Sequence, residues 1–495
     1  MKNGKPLSLF LIIFLFLAAH FVLIARPHVY EWDEAVYTAI GRNLFSSYTV
    51  GLFDEERPLA LPFIYGLIWK AGLQMTFWGE IVTIAFSAAL ICLVYLIGAA
   101  LFNRRAAFFA SLMLAVTPVF FHYSSLFFTE IPSAFFAFLS ITCLMKKRPL
   151  GAGISAGLAF LTKFPQALLF MSLFFTLITE AFIHRKSRES LLAALKDLLL
   201  ISGGFVISIL PFCIFNLIHY RDSDQSILYR CFHPVFSSLH MQNDPFEEVR
   251  GFWNSLLCYP CEAVKENPLL ILSIGGFFIL IARERLRDLR SRIVFIAFLI
   301  TCSYFTSITT KDIRYLNIVL PYLSLLSGAA FSRLCSLYEK RAASLHFMMR
   351  NAVFSLSVLL FLAGINRALC GIEKSFIGRP LEEPAMIDEY GRFFSRNPAK
   401  GTILTCDPIP AAYCESLFVQ YFSVDAAERE MRKEDTEYVI FTLSTFPEYF
   451  INRAFADRMN GFVDKLFREN RIVAQGEHYN GNKYYIVKLL KKDSH

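Results

Sequence analysis

Residues 7–24 read LSLFLIIFLFLAAHFVLI, and a few positions later the chain reads Glu31-Trp32-Asp33-Glu34-Ala35-Val36-Tyr37. The first stretch carries no charge. As an α-helix it would extend about 27 Å, close to the thickness of a bilayer's hydrocarbon core. The second stretch puts two adjacent carboxylates where such a helix would return to water. Lys2 and Lys5 precede the apolar run, as they would in a secretory signal. The run is long, however, and no small-residue cleavage site follows it, so a retained first membrane helix is expected.

The 495 residues are 55% hydrophobic, above the 45–50% usual for a soluble domain. The excess is gathered into runs, which predict helices at 7–24, 78–101, 104–121, 126–145, 151–162, 165–183, 191–217, 268–282, 293–309, 315–335 and 351–369. The fold class expected is mainly α, a polytopic membrane protein with about eleven transmembrane helices. The fifth and sixth are short, and Pro165 interrupts them at Lys163-Phe164-Pro165, because proline breaks the helix and restricts the residue before it.

Loop charge sets the expected orientation. Asn103-Arg104-Arg105, Lys146-Lys147-Arg148, His184 to Arg188, Arg283 to Arg292 and Arg333 to Arg350 are basic. Each is separated from the next by an even number of crossings, so all fall on one face, which the positive-inside rule makes cytoplasmic. The opposite loops, 25–77 and 218–267, carry Asp33, Glu34, Asp54, Glu55, Glu56, Asp222, Asp224, Asp244, Glu247 and Glu248. The N-terminus is then cytoplasmic and the tail extracytoplasmic. The net charge of +8 is explained by these loops, and no nucleic-acid-binding signature accompanies it.

From about Gly371 to His495 the composition changes. Thr402-Ile403-Leu404, Tyr438 to Phe441, Arg471 to Ala474 and Tyr484 to Leu489 read as strands. Phe446 to Asn470 has helical spacing, and Asn480-Gly481-Asn482 suits a hairpin turn. The domains expected are thus 1–370, membrane-embedded, and 371–495, a small extracytoplasmic α/β domain. Of the 11 cysteines, several lie in apolar runs, where a thiol behaves as a small hydrophobe. Cys231, Cys258 and Cys261 share one outer loop, and Cys406 and Cys414 share the tail; disulfides in either place are open. Cys258-x-x-Cys261 has no second pair at zinc spacing.

Chemistry-bearing residues collect on the outer side of this topology. Asp33 either caps a helix from Glu34 to Phe45 or works with Arg57-Pro58 in the same loop, followed by an interfacial apolar piece from Phe63 to Trp78. Glu130, in Phe127-Phe128-Thr129-Glu130-Ile131-Pro132, is an acid at a membrane edge: a functional group by default, or a simple cap. Lys163 either snorkels from a helix end or offers a point charge to a phosphate. Lys311-Asp312-Ile313-Arg314-Tyr315 lies outside by the crossing count. There a guanidinium offers bidentate geometry to phosphate and Tyr315 a hydroxyl, unless Arg314 is paired with Asp312. Neither a phosphate-binding P-loop nor His-Glu-x-x-His occurs.

These pieces together resemble the C-type-fold (GT-C) membrane glycosyltransferases that use polyprenyl-phosphate sugars, especially the protein O-mannosyltransferase and lipid A aminoarabinose transferase branch. The resemblance rests on Asp33-Glu34, Arg57-Pro58, Thr117-Pro118 through Thr129-Glu130-Ile131-Pro132, Gly157 to Lys163, and Arg314-Tyr315 with Pro321. They run in order over residues 7–335. It implies that a sugar moves from a polyprenyl (dolichyl or undecaprenyl) phosphate to an acceptor hydroxyl on the outer face, inverting the anomeric centre. Asp33 would be the general base, with Glu34 and Glu130 as further acids of the site. Arg57, Lys163, Lys311, Arg314 and Tyr315 would hold the departing lipid phosphate. The branch usually carries Lys-Pro-Pro where this chain has Arg57-Pro58-Leu59, so the cation is kept and the second proline lost. Some relatives in the wider fold need a divalent metal; no convincing ligand set stands out here. The partners implied are the lipid donor and a protein, lipid or glycan acceptor. The rival class is a transporter or flippase of lipid-linked sugars. Transporters favour midplane polar groups and internal repeats, and the sequence shows neither.

Overall fold

The computed structural model describes residues 7–183, 188–221, 225–241, 252–309, 311–342, 365–367, 369–374, 385–442, 446, 452–477 and 483–490. In chain order the helices are α1 (Leu7–Ile24), α2 (Trp32–Phe45), α3 (Ala60–Lys70), α4 (Met75–Leu101), α5 (Arg104–Val116), α6 (Pro118–Tyr123), α7 (Glu130–Met145), α8 (Pro149–Thr162) and α9 (Ala167–Ile183). They continue with α10 (Arg188–His219), α11 (Ile227–Met241), α12 (Phe252–Glu266), α13 (Ser273–Ile281), α14 (Arg283–Leu286), α15 (Leu289–Ser307), α16 (Leu316–Ala342), α17 (Ala385–Arg396), α18 (Ile409–Tyr413), α19 (Val424–Met431) and α20 (Arg453–Glu469). The strands are β1 (Gly51–Leu52), β2 (Thr402–Thr405), β3 (Leu417–Gln420), β4 (Thr436–Thr442), β5 (Arg471–Glu477) and β6 (Lys483–Lys488).

The chain divides into two compact units: Met1–Ala25 with Glu80–Gly378, and Arg26–Gly79 with Arg379–His495. In the first unit, every span expected from 7–24 through 315–335 is helical. The expected span 351–369 falls almost wholly outside the described residues. Six helices among the described residues are long and apolar enough to cross a membrane, and three shorter apolar ones accompany them. Two boundaries differ from the sequence expectation. The span 104–121 stops at Thr117, whose Oγ1 donates to Met113 O (2.6 Å), and restarts with Pro118 at the first helical position. Proline is tolerated there because its missing N–H has no intrahelical partner to lose. The span 126–145 begins only at Glu130. The break at Lys163-Phe164-Pro165 is real: Lys163 is extended (φ −154°, ψ 116°) and a single 3₁₀ turn, Phe164–Gln166, leads into α9.

Small residues let α8 and α10 touch. A Cβ on Gly153 would strike the Ile201 carbonyl, and one on Gly157 would strike Ser208. This is the small-residue packing that membrane helices use when no hydrophobic force drives them together. Gly153-Ile154-Ser155-Ala156-Gly157 also spells a Gly-x-Ser-x-Gly nucleophile motif. It lies in the middle of α8 rather than at a strand-to-helix turn, and Ser155 is buried. The spelling therefore reflects helix packing, not a nucleophile.

The second unit joins Arg26–Gly79 to the tail. Its sheet has the order β1-β3-β2-β4-β6-β5. The first four strands in that order are parallel, and β6 and β5 are antiparallel to their neighbours. Alternation along the strands serves two cores. Ile403, Tyr438, Ile440, Tyr484 and Ile486 pack with Val36, Ala39 and Ile40 of α2 and with Tyr390 and Phe394 of α17. Leu404, Val439, Phe441 and Val487 face Met459, Phe462 and Leu466 of α20 on the other side. The expected strands in the tail are all present, and α20 covers the described part of the helix expected over 446–470. The turn at 480–482 lies outside the described residues. The piece expected over 63–78 is not continuous: α3 ends at Lys70, Gly72 turns with φ 69°, and α4 starts at Met75.

Arg42 fastens the loop to the tail. It is 2% exposed. Its Nη1 donates to Ala411 O (3.2 Å) and Ala412 O (2.6 Å), and its Nη2 to Glu415 (2.5 Å). Asp407 is also enclosed in this unit. Burial pushes its carboxyl up to about 6, only partly opposed by the hydrogen bond that Oδ1 accepts from the Ile409 N–H (2.9 Å). A carboxyl raised on folding stabilises the fold fully below its ordinary value near 3.8 and loses that contribution as pH rises through about 6. The full effect is about 3 kcal/mol. We therefore expect thermal unfolding of the wild type to fall more steeply between pH 4 and pH 7.5 than that of Asp407→Asn; parallel slopes would contradict this placement.

Candidate active site

The acidic stretch that follows α1 belongs to the second unit. Helix α2 starts two residues earlier than the alternative cap reading supposed: Glu31, in an extended conformation, is the N-cap, and Asp33 is already inside the first turn. Glu34 folds back, its Oε2 accepting the Glu31 N–H at 2.8 Å. Its Oε1 meets His28 Nε2 at 3.1 Å. Glu34 is fully enclosed, so its carboxylate is spent on fixing the entry to α2 and on the histidine beside it.

Asp33 takes a different role. Its Oδ1 lies 2.9 Å from Arg57 Nη2. Arg57 also reaches Asp54 Oδ2 with Nε at 3.2 Å and stands over the Tyr37 ring, 5.8 Å from its centroid. Asp54 is itself fixed by the Glu56 N–H (2.9 Å). The acid and the cation singled out in this loop are thus brought together. The Asp33 side chain keeps 9% exposure and Arg57 keeps 26%, so the pair opens to the surface while Glu34 behind it does not. His28, Asp54 and Tyr37 were not singled out from sequence. Asp54, three residues before Arg57, was the legible one, whereas His28 has no spacing that announces it.

The second cluster lies in the first unit, where three chain breaks meet: the start of α7, the α8–α9 break and the 3₁₀ turn Ile313–Tyr315 that leads into α16. Glu130 opens α7 and is 1% exposed. Its Oε1 accepts from Lys163 Nζ at 2.9 Å and lies 3.8 Å from Arg314 Nε. Its Oε2 is buried with no hydrogen-bond partner among the described residues. Arg314 Nε is 2.7 Å from Asp312 Oδ2, so the pairing with Asp312 exists, and it leaves the guanidinium beside Glu130 as well. Aromatic faces complete the setting. Lys163 stands 4.8 Å from the Tyr315 ring centroid, and Arg314 stands 5.3 Å from Phe128 and 5.6 Å from Tyr315. The ring faces hold the two cations in addition to their carboxylate partners.

Lys311 does not join this cluster as a ligand group. Its ammonium donates to Phe305 O (2.7 Å), Thr306 O (2.9 Å) and Ile308 O (2.6 Å). A lysine has three N–H donors, and these carbonyls at the end of α15 take all of them. Sequence proximity to Arg314 suggested a phosphate contact; the helix end it caps could not be seen from spacing. No metal site forms among the described residues either. Among the described residues no three His, Cys, Asp or Glu side chains converge, and both Glu34 oxygens are engaged, so the acids present do not fit a divalent ion.

The arrangement has the GT-C membrane fold, the fold of polyprenyl-phosphate-dependent glycosyltransferases. Residues 56–207 match the family model described as dolichyl-phosphate-mannose-protein mannosyltransferase. The chain superposes on ArnT of Cupriavidus metallidurans solved with undecaprenyl phosphate, over 98% of either chain, with a TM-score of 0.64 and 15% identity. It superposes on the archaeal oligosaccharyltransferase AglB of Archaeoglobus fulgidus, solved with an inhibitory peptide and a dolichol-phosphate, over 98% of this chain and 74% of that one (TM-score 0.62, 14% identity). The arabinofuranosyltransferase AftD from Mycobacteria matches 99% of this chain with 40% of its own (TM-score 0.56, 11% identity). No curated protein matches the sequence.

If Glu130 and Lys163 hold one another, their substitutions will not add. Each alanine variant should cost about 3–5 kcal/mol, since it strands a buried charge. The double variant should fall short of the sum by about 1–3 kcal/mol. Denaturant or thermal unfolding of the four proteins in detergent measures this, and strict additivity would mean the pair is not formed.

Proposed function

We propose that the protein is a membrane glycosyltransferase that moves a sugar from a polyprenyl-phosphate donor to an acceptor hydroxyl on the extracytoplasmic face. The observation that carries this reading is the pair of cations, Lys163 and Arg314, held over aromatic faces at helix breaks within an apolar unit. A lipid phosphate has its charge at the interface and its chain in the bilayer, and cations at membrane depth suit it. The mannosyltransferase family match over residues 56–207 and solved relatives with lipid phosphates bound support the same reading.

In this mechanism Asp33 is the general base. Arg57 keeps its carboxylate in one place. As the acceptor oxygen attacks the anomeric carbon, its proton passes to Asp33. The bond from that carbon to the phosphate oxygen breaks on the opposite side, so configuration inverts. The lipid phosphate leaves with one more negative charge, which Lys163 and Arg314 meet; electrostatic stabilisation of this kind is usually the largest contribution to rate. Glu34 acts through Asp33, by fixing the first turn of α2, and Glu130 acts through the cations it holds. Lys311 serves as a helix cap, and no step passes through a metal.

Asp33→Asn keeps the shape of the side chain and removes the base. We expect its transfer rate to fall by about 10²–10⁴-fold with expression and unfolding temperature unchanged, assayed with labelled polyprenyl-phosphate sugars in lipid. Wild-type turnover would remove Asp33 from the mechanism. Arg314→Ala should raise the KM for the donor at least tenfold and leave that for the acceptor nearly unaltered; an effect on the acceptor alone would reverse the assignment. Movement of the lipid-linked sugar across vesicles with no transfer would establish a flippase instead.

A further inference from the structure

Two cysteines stand apart from the residues the reaction uses. Cys213 lies near the end of α10, and Cys231 lies in the first turns of α11. The Cys213 and Cys231 side chains lie close enough to interact. The helices that carry them pack on one another, and Asn216, one turn beyond Cys213, donates from Nδ2 to the Cys231 carbonyl at 2.8 Å. The backbone beside Cys231 is therefore held independently of the sulfurs. Both side chains are part-buried, and neither is bonded to another cysteine. From the sequence, the candidates for a bridge are Cys231, Cys258 and Cys261 in one loop and Cys406 and Cys414 in the tail; Cys213 is not among them. Of the tail pair, Cys406 has its sulfur engaged by β4, accepting the Thr442 N–H at 3.2 Å.

We infer that Cys213 and Cys231 form a disulfide that ties α11 to α10 on the extracytoplasmic face. The inference rests on the proposed orientation, because disulfides persist only in oxidising compartments. The chemistry is thiol–disulfide exchange. One cysteine, as thiolate, attacks a sulfur of a disulfide-bearing oxidant, and a mixed disulfide forms as one oxidant thiol leaves. The second cysteine attacks that mixed disulfide and releases the other thiol. Two protons and two electrons leave the protein, and the oxidant's disulfide ends as two thiols. Closure sets the position of a helix whose Ile227, Leu228 and Phe236 are exposed, and it leaves the Asp33, Glu130 and Lys163 chemistry untouched.

The test is peptide mapping by mass spectrometry. Membranes are solubilised without reductant in the presence of N-ethylmaleimide, and the intact protein is digested and analysed before and after reduction. The expected product is a Cys213 peptide joined to a Cys231 peptide, two hydrogens lighter than the sum, with Cys258 and Cys261 alkylated. Cys231→Ser should abolish it, and Cys258→Ser with Cys261→Ser should preserve it. In a second arm, reduced purified protein is treated with oxidised glutathione. A bridge formed there but absent from membranes overturns oxidation in the cell and with it the outer-face placement, while leaving the pairing geometry standing. Absence in both arms, or Cys231 joined to Cys258 or Cys261, overturns the pairing itself.

Discussion

A carboxylate enclosed among apolar helices has to be met by positive charge, because the cost of taking it out of water is several kcal/mol. Glu130 is such a group, and meeting it organises much of the helical unit. Lys163 can reach it only because the chain breaks at Pro165, so that α8 ends at Thr162 and Lys163 itself turns extended. Arg314 can approach it only because a 3₁₀ turn, capped by Asp312 accepting the Arg314 N–H (2.9 Å), comes before α16. Three interruptions that would be defects in isolated membrane helices become one charged cluster. Each leaves unpaired backbone groups that need partners, and the cap by Lys311 at the end of α15 supplies three such bonds near by.

A similar economy governs the second unit. Glu34 is consumed locally, so Asp33 stands on a turn that does not need it. The two neighbouring acids look alike in sequence and differ in the structure because a helix presents consecutive residues about 100° apart. One faces the core and His28; the other faces Arg57.

Much of this architecture was legible before any coordinates. Apolar runs gave the helices of the first unit, since hydrophobic length is a local property. The break at Pro165 followed from proline's missing donor. The tail's strands showed as short continuous apolar runs, which burial on both faces demands, as in Ile403 and Leu404. What stayed hidden was non-local. The two-residue strand β1 has no pattern of its own, and β3 is mostly half-buried, so neither stands out. The bond between Arg42 and the Ala411 and Ala412 carbonyls joins segments from opposite ends of the chain. In the candidate site, the acids and cations were visible as types. Their division into Asp33 with Arg57 on one side and Glu130 with Lys163 and Arg314 on the other was not. Nor was the diversion of Lys311 to three carbonyls, because a helix end offers acceptors that no side-chain spacing records.

The parallel pairing of Gly51 with Leu417 and Leu52 with Phe418 has a consequence for biosynthesis. Synthesis runs at about 5–20 residues per second, so roughly twenty seconds to more than a minute separates the two strands' emergence. For that time Val36, Ala39 and Ile40 have a core to join but no sheet to form it. The segment between α1 and α4 must wait, apolar face uncovered, while most of the membrane helices are made. Maturation of this unit is thus tied to completion of the chain, and a nascent protein halted before β3 would present a sticky surface to whatever chaperones attend that side of the membrane.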